Sequence, residues 1–341
     1  MRDRCAGISG SRHISPEYHQ ANLFDSPSKA PDTSRIQVIG GSTVRVGTAS
    51  WTDPTLLTAG WYPAGVSTAE ARLRYYSHHF PIVEADASFY AIPTPEVAQR
   101  WVKRTADSFR FNVKAFAPLT GHRVPASRLP ASVRDSLPPR TQKLPTLGPS
   151  DLSADDIAEL RRCFSAAIAP LVEFNRLGTV LFQYSSDFRP GFSSYAAIEK
   201  LRVDFPVTPL AIEFRHREWA APEIWARTLD QLRALEISFV AVDAPARFAS
   251  AMPPVDGVTT PGLAILRLHG RNSAAWEGRH DTAATRFQYR YSERELGDDV
   301  LPRIIRLARE ASEIHVLFNN CFGTDGVHNA ATIRRLIDAV G

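Results

Sequence analysis

Cysteine is scarce in this chain of 341 residues: Cys5, Cys163 and Cys321 lie far apart, are odd in number and show no CxxC spacing. That argues against a disulfide framework and against a zinc ribbon, which need paired or ligand-like spacings. Long apolar runs are missing as well. None approaches the roughly 18 residues of a membrane span, and the opening Met1-Arg-Asp-Arg-Cys-Ala-Gly7 has no apolar segment of a secretory signal. A soluble, cytoplasmic protein of a reducing compartment is expected, with no membrane partner. No sign of charge dominates: 40 Lys and Arg against 36 Asp and Glu give a net +4, too small an imbalance to mark a polyanion binder by itself. There is no GxGxxG after a strand and no GxxxxGK phosphate loop, so no nucleotide cofactor is indicated. GxSxG, HExxH and HxH are absent too, which leaves out the nucleophile elbow and the commonest zinc signatures. No repeat of solenoid length occurs.

What is present reads as alternating strands and helices. Residues 1–43 are rich in Ser, Pro, Asp, Arg and Gly and follow neither hydrophobic period, the pattern of a mobile leader. Strand-like runs follow at Val44–Thr48, Pro81–Asp86, Phe109–Lys114, Thr179–Tyr184, the start of Leu210–Trp219, Ile237–Asp243, Ala264–His269 and Ile314–Asn320. Most are separated by helical signals. Ser153-x-x-Asp156 and Ser292-x-x-Glu295 form capping boxes, and Thr94-Pro95 and Pro222 open helices with proline in the first turn. Eight strands with crossovers between them fit an α/β chain folded as a (β/α)8 barrel of the TIM type over residues 44–341. An open doubly wound sheet is the alternative, because counting strands does not prove closure. Two segments depart from regularity. The 20 or so residues after Asp243 hold too many Pro and Gly for a helix, so an irregular segment is expected in place of the sixth helix. Residues 117–150 are a Pro-rich excursion, either functional or disordered.

Side chains alternate faces along a strand, and the same pattern recurs at the C-terminal end of each. Glu84 with Asp86, Asn112 with Lys114, Gln183, Glu213 with Arg215, Asp243, and Arg267 with His269 all read as facing inward. Their neighbours Ile212, Phe214, Val242, Leu266 and Leu268 read as packing under helices. Of Asn319 and Asn320 only one can point in. In an α/β barrel that end carries the active site. Charge gathered there must pair, bind a ligand or stay wet, so ion pairs such as Lys114 with Glu84 or Arg267 with Glu213 are the plain alternative to a pocket.

Three chemistries suit such a ring. Glu84 and Glu213 could be the two carboxylates of a glycosidase. A divalent metal is a second option, held by Glu213, Asp243, His269 and Glu84. Third, Lys114, Arg215 and Arg267 could grip a phosphate. Trp51, Trp61, Phe89, Tyr90 and Trp219, in loops after strands, could stack on a base or sugar. His122 and His216 could shuttle a proton.

These landmarks also carry a resemblance. Gly47-Thr-Ala-Ser-Trp51, Trp61-Tyr-Pro63, Val83-Glu-Ala-Asp-Ala-Ser-Phe-Tyr90, Phe109-Arg-Phe-Asn-Val-Lys114, Leu181-Phe-Gln183, Ile212-Glu-Phe-Arg-His216 with Trp219, Arg267-Leu-His-Gly270, and Phe318-Asn-Asn320 with Asn329-Ala330 are similar to the YecE-like family, domain of unknown function 72. The resemblance spans roughly residues 44–340 and implies a TIM-type barrel but no activity. The chain departs from the family pattern at Asp86, where Asn is expected, at Tyr184–Phe188, which replaces a Pro-Pro turn, and in an enlarged region 122–150. The resulting expectation is an enzyme, a hydrolase of phosphoester or glycosidic bonds, acting on a phosphorylated, nucleic-acid-derived or sugar-containing substrate. Glu84, Glu213 and His269 would be catalytic. Asp86, Tyr90, Lys114, Gln183, Arg215, His216, Trp219, Asp243, Arg267, Asn319 and Asn320 would bind substrate. A non-catalytic module holding nucleic acid or a metabolite is the competing reading, and oligomeric state is left open.

Overall fold

In the computed structural model, which describes residues 36–278 and 283–341, the eight expected strands close on themselves. Among the described residues there are nine strands: β1 (Gln37–Ile39), β2 (Ser42–Ala49), β3 (Ile82–Ala85), β4 (Arg110–Lys114), β5 (Leu177–Gln183), β6 (Leu210–Glu213), β7 (Ile237–Asp243), β8 (Ala264–Leu268) and β9 (Glu313–Phe318). Strands β2 to β9 pair in sequence order, all parallel, and β9 pairs back onto β2 with Arg45 opposite His315 and Gly47 opposite Leu317. That last pairing removes both edges, so the sheet is a barrel and not an open doubly wound layer. A parallel barrel is covered on the outside and filled on the inside, which is why strands such as β7, Ile-Ser-Phe-Val-Ala-Val-Asp, are buried along their whole length.

The connecting helices follow their local signals. Ser153 and Asp156 close a reciprocal cap on the helix Ala154–Glu173, and Ser292 and Glu295 do the same ahead of Leu301–Ala308. Proline stands in the first turn of Pro95–Lys103 and of Pro222–Ala234. Between β7 and β8 the chain runs without a helix, as its Pro and Gly content requires. Residues 117–150 are compact. Short helical turns, a bridge between Val124 and Leu147 and the buried side chains of Leu129, Val133 and Leu137 pack this excursion beside the barrel. The turn that replaces a Pro-Pro pair is held by Tyr184 stacked on Phe188 at 3.9 Å.

One boundary moves. The ordered chain begins before Val44, because β1 pairs antiparallel with β2 through a turn at Gly40 and Gly41, both with positive φ. Two successive positive φ values suit glycine and a tight hairpin. The leader expected over residues 1–43 therefore gives up its last residues to a strand, and residues 1–35 lie outside the described residues. Inside the barrel Gly47 is required for a different reason: a Cβ there would lie 2.0 Å from the Ile82 carbonyl oxygen of the next strand.

Candidate functional site

Register decides which side chains enter the barrel, since residues paired between parallel strands share a face. Ala49 pairs with Glu84 and Glu84 with Asn112; Gln183 pairs with Glu213; Arg267 pairs with Val242 on one side and Leu317 on the other. Glu84, Asn112, Gln183, Glu213 and Arg267 therefore point inward, and two residues further on so do Lys114, Arg215, His269 and Asn319.

Arg267 is the hub. Its Nε and Nη2 donate to the two oxygens of Glu84 at 2.9 and 2.6 Å, and its Nη1 donates to Glu213 and, at 3.4 Å, to Gln183. Arg215 donates from Nε to the other Glu213 oxygen and from Nη2 to Gln183 Oε1 at 2.9 Å. Two carboxylates and two guanidiniums thus cancel across β3, β6 and β8, with Gln183 of β5 accepting from both arginines. Arg267 is 1% exposed and both glutamates 0%, so the pairing is what allows these charges to be there. Burial opposes ionisation of Glu213, but Arg215 and Arg267 hold its carboxyl well below the usual range. The same carboxylates raise Arg267 despite its burial. Next to them, His269 Nδ1 accepts from Asn319 at 2.9 Å and its Nε2 lies 3.2 Å from Glu213 Oε1 without the alignment of a hydrogen bond. Burial, helped by Arg215, pushes this imidazole down to about 3, so it is neutral at physiological pH.

Two titratable groups stand out from this network. Lys114 makes no hydrogen bond or ion pair through Nζ among the described residues; its ammonium lies 4.3 Å from the centre of the Phe89 ring. Burial, then the charge of Arg267, lowers it to about 8. Asp86, just past β3, accepts no side-chain hydrogen bond among the described residues, and burial, then Glu84, raises it to about 6. Each group lies close enough to the other to oppose part of that shift. His122, bonded to Thr120 Oγ1 at 2.9 Å and packed on Phe89, is lowered to about 4 by burial and by Lys114.

The segment after β8 provides a wall over this end. Trp276 and Phe287 both approach His269, at 6.4 and 6.1 Å between ring centres, and the guanidiniums of Arg215 and Arg286 lie 5.8 and 5.9 Å from the Trp276 ring centre. Arg271 and Tyr291 anchor the segment, both donating to Asp243 at 2.7 to 2.9 Å.

Several residues expected at the mouth are placed elsewhere. Asp243 pairs in register with Leu268, so it leaves the outward face and is consumed by Arg271 and Tyr291, while Val242 takes the inward position. Asn320 also faces outward, where its amide bonds Tyr289 O and Asn329; the inward member of that pair is Asn319. Trp219 is fully buried against Phe214 at 4.0 Å and donates from Nε1 to Phe188 O, so no face is free for a ligand. His216 caps the turn Arg217–Ala220 by accepting from Glu218 N. Trp51 and Trp61 are buried in aromatic clusters; Tyr90, 56% exposed, is the solvent-facing ring among those expected to stack. The metal option does not fit the side chains either. Among the described residues no three His, Cys, Asp or Glu groups converge to hold an ion, for Asp243 points away and both glutamates are tied to Arg267. Sequence reading missed Trp276, Arg286 and Phe287, which sit in the irregular segment after β8, Arg286 at the end of the short helix Ala283–Arg286, and carry no signal that would have marked them.

Comparison with known proteins agrees with this architecture. The family model described as "Protein of unknown function DUF72" matches residues 45–340. UPF0759 protein YunF of Bacillus subtilis is 30% identical over 298 residues, 86% of this chain and 95% of that protein. Among solved structures, a DUF72 family protein from Enterococcus faecalis is 27% identical with a TM-score of 0.68, covering 86% of this chain and 95% of that one. One from Thermotoga maritima is 28% identical with a TM-score of 0.65, covering 86% and 99%.

Proposed function

The chain belongs to the DUF72 family, whose description assigns no activity, and from that premise we propose that its function lies in the barrel mouth: it is an enzyme for a small anionic substrate, phosphorylated, nucleic-acid-derived or sugar-containing, with Asp86 and Lys114 as its acid–base pair. The observation that carries this reading is the division of the inward groups into two sets. Glu84, Glu213, Arg215, Arg267 and Gln183 satisfy one another, whereas Asp86 and Lys114 at the same end hold no ion-pair partner among the described residues. A structural network would have used them, because unpaired charge in a recess is costly.

Their properties suit proton transfer. A carboxyl near 6 and an amine near 8 are both close to neutrality, where a group can give and take a proton within one turnover. Cleavage of a phosphoester or glycosidic bond, or rearrangement of a sugar, needs such a pair. Glu84 and Glu213 are less suited to it, since each would have to break bonds to Arg267 first. They and His269 are better read as the floor that fixes the field of the site. Arg215 and Arg286, both within 6 Å of the Trp276 ring centre, supply positive charge for an anionic group. Nucleic-acid binding has less support, because Trp51, Trp61 and Trp219 are buried and offer no stacking platform.

The test is a screen of phosphomonoesters, phosphodiesters, nucleosides and sugar phosphates with the wild-type chain. Any activity found should fall at least about 100-fold in kcat in Asp86→Asn, the usual scale of a lost general acid or base. Turnover that is indifferent to Asp86→Asn and to Lys114→Met would sink the assignment.

A further inference from the structure

Lysine is rare here in a way the arginines are not. The chain has five lysines, Lys29, Lys103, Lys114, Lys143 and Lys200, out of 40 basic residues. Where a cation enters the barrel to hold a carboxylate, it is arginine: Arg45 with Glu313, Arg215 with Glu213, Arg267 with Glu84 and Glu213. Lys103, Lys143 and Lys200 are exposed. Lys114 alone among the described lysines is inside, and it holds no carboxylate. The one thing a lysine does at such a place that arginine cannot is to lose its proton and attack through nitrogen.

We propose that Lys114 is the nucleophile for a carbonyl-bearing substrate and that the mouth forms an imine on its Nζ, with Asp86 moving the protons. The inference rests on the acid–base reading of this site and narrows its substrate to an aldehyde or ketone, the open form of a sugar phosphate being the class that also suits Arg215 and Arg286.

The geometry supplies each requirement. Nζ has no hydrogen bond to break, and the Phe89 face at 4.3 Å offers contact without a proton acceptor. Asp86, just past β3, lies near enough to Lys114 for their charges to act on each other, and its carboxyl accepts no hydrogen bond among the described residues. Trp276 and Phe287 line the opposite wall, over neutral His269, and apolar walls favour the dehydration that follows attack. With a value near 8, about a quarter of the amine is neutral at pH 7.5.

The chemistry balances without any further reagent. The Lys114 ammonium first gives one proton to the Asp86 carboxylate. The freed Nζ lone pair then forms a bond to the carbonyl carbon, and the carbon–oxygen π pair moves to oxygen, which takes that proton from the Asp86 acid. The carbinolamine then returns its N–H proton to the Asp86 carboxylate. Protonation of the hydroxyl by the same carboxyl lets water leave with the carbon–oxygen pair as nitrogen donates its own, giving the protonated imine. The ammonium form of lysine and the carbonyl compound have become an iminium and one water, with no change in oxidation state.

The experiment is reductive trapping on the wild-type full-length chain, so no variant has to fold. Formaldehyde, the smallest carbonyl probe, is supplied with cyanoborohydride at pH 7.5, and methylation of each lysine is followed by peptide mass spectrometry. Lys114 should react at least tenfold faster than Lys103, Lys143 and Lys200, with a pH profile that rises through about 8. In a second arm, dihydroxyacetone phosphate with borohydride should leave one reduced adduct per chain, on Lys114, that inorganic phosphate competes away. Lys114→Arg should lose this adduct, and Asp86→Asn should form it at least tenfold more slowly. If Lys114 is methylated no faster than the exposed lysines, the inference is wrong, even where Asp86→Asn abolishes a turnover found by screening; that combination overturns imine formation and leaves the acid–base reading standing. Rapid trapping at Lys114 with a turnover indifferent to Asp86→Asn supports the nucleophile and overturns the acid–base pair.

Discussion

Replacing Arg267 by leucine removes the cation on which two buried carboxylates depend. Glu84 has both of its oxygens on Arg267 and no other side-chain partner among the described residues, whereas Glu213 keeps Arg215. Breaking a buried pair by deleting one partner costs about 3–5 kcal/mol, and the loss of both hydrogen-bonded contacts at Glu84 places Arg267→Leu in the upper half of that range. For a folded unit of this size, unfolding entropy of about 2.1 cal/mol/K per residue over roughly 300 residues turns about 4–5 kcal/mol into a fall in Tm of about 6–8 °C. The pH dependence has a definite sign. Glu213 is held well below the usual carboxylate value in the folded chain, so its ion pairs contribute stability that is full above the unfolded value of about 4.3 and lost as pH falls through the folded one. The gap between wild type and Arg267→Leu should therefore be full at pH 7.5 and shrink below about pH 4. Calorimetry and urea titration at both pH values measure it. Arg335→Leu, which breaks an exposed pair with Glu293 at 3.0 Å, is the control and should leave stability close to that of wild type. A deficit below about 1 kcal/mol for Arg267→Leu at pH 7.5, or one that persists unchanged at low pH, would refute the view that this arginine neutralises the barrel floor.

Two further outcomes follow from the same structure. Asp86 has its folded value raised to about 6, so its ionised form destabilises the native state above that pH and the penalty fades as pH falls through the unfolded value. Asp86→Asn should accordingly be more stable than wild type by up to about 3 kcal/mol at pH 7.5 and equal to it near pH 3, as thermal melts at the two pH values would show; a loss of stability at pH 7.5 would contradict this. Gly47→Ala puts a Cβ 2.0 Å from Ile82 O and 2.9 Å from Ile82 C, both backbone atoms that cannot swing aside. It should cost more than the usual 1–3 kcal/mol of overpacking in urea titration, whereas Gly262→Ala, with nothing within 4 Å, should be near neutral.

Much of the fold was legible because parallel barrel strands announce themselves twice. Each is a short apolar run, and each ends in a polar pair set by strict alternation. Phe109–Lys114 and Leu210–Arg215 show both features, and their inward residues are those read from the sequence. Ile237–Asp243 failed at the second step. Val240, Ala241 and Val242 are apolar on both faces, so alternation has no phase to report, and Asp243 could be assigned to either side until its register with Leu268 fixed it outward. Trp219 and His216 lie beyond the strand, where period two no longer applies. The hairpin β1 was hidden because three residues, Gln37–Ile39, are too few to carry a period. Pairing was the deepest uncertainty: Glu84 and Arg267 are 183 positions apart, and nothing local tells a tied carboxylate from a free one.

That separation has a consequence for how the chain becomes a barrel. Glu84 is made early, on β3, and its counter-charge arrives only with β8. Until then a partly assembled sheet carries an acid whose charged form is costly to bury, which favours an inner face open to water. The last strands thus deliver both the missing wall and the missing charge. Arg267 acts as a keystone: set among the last strands, it ties the carboxylates of β3 and β6 to β8 in one grip.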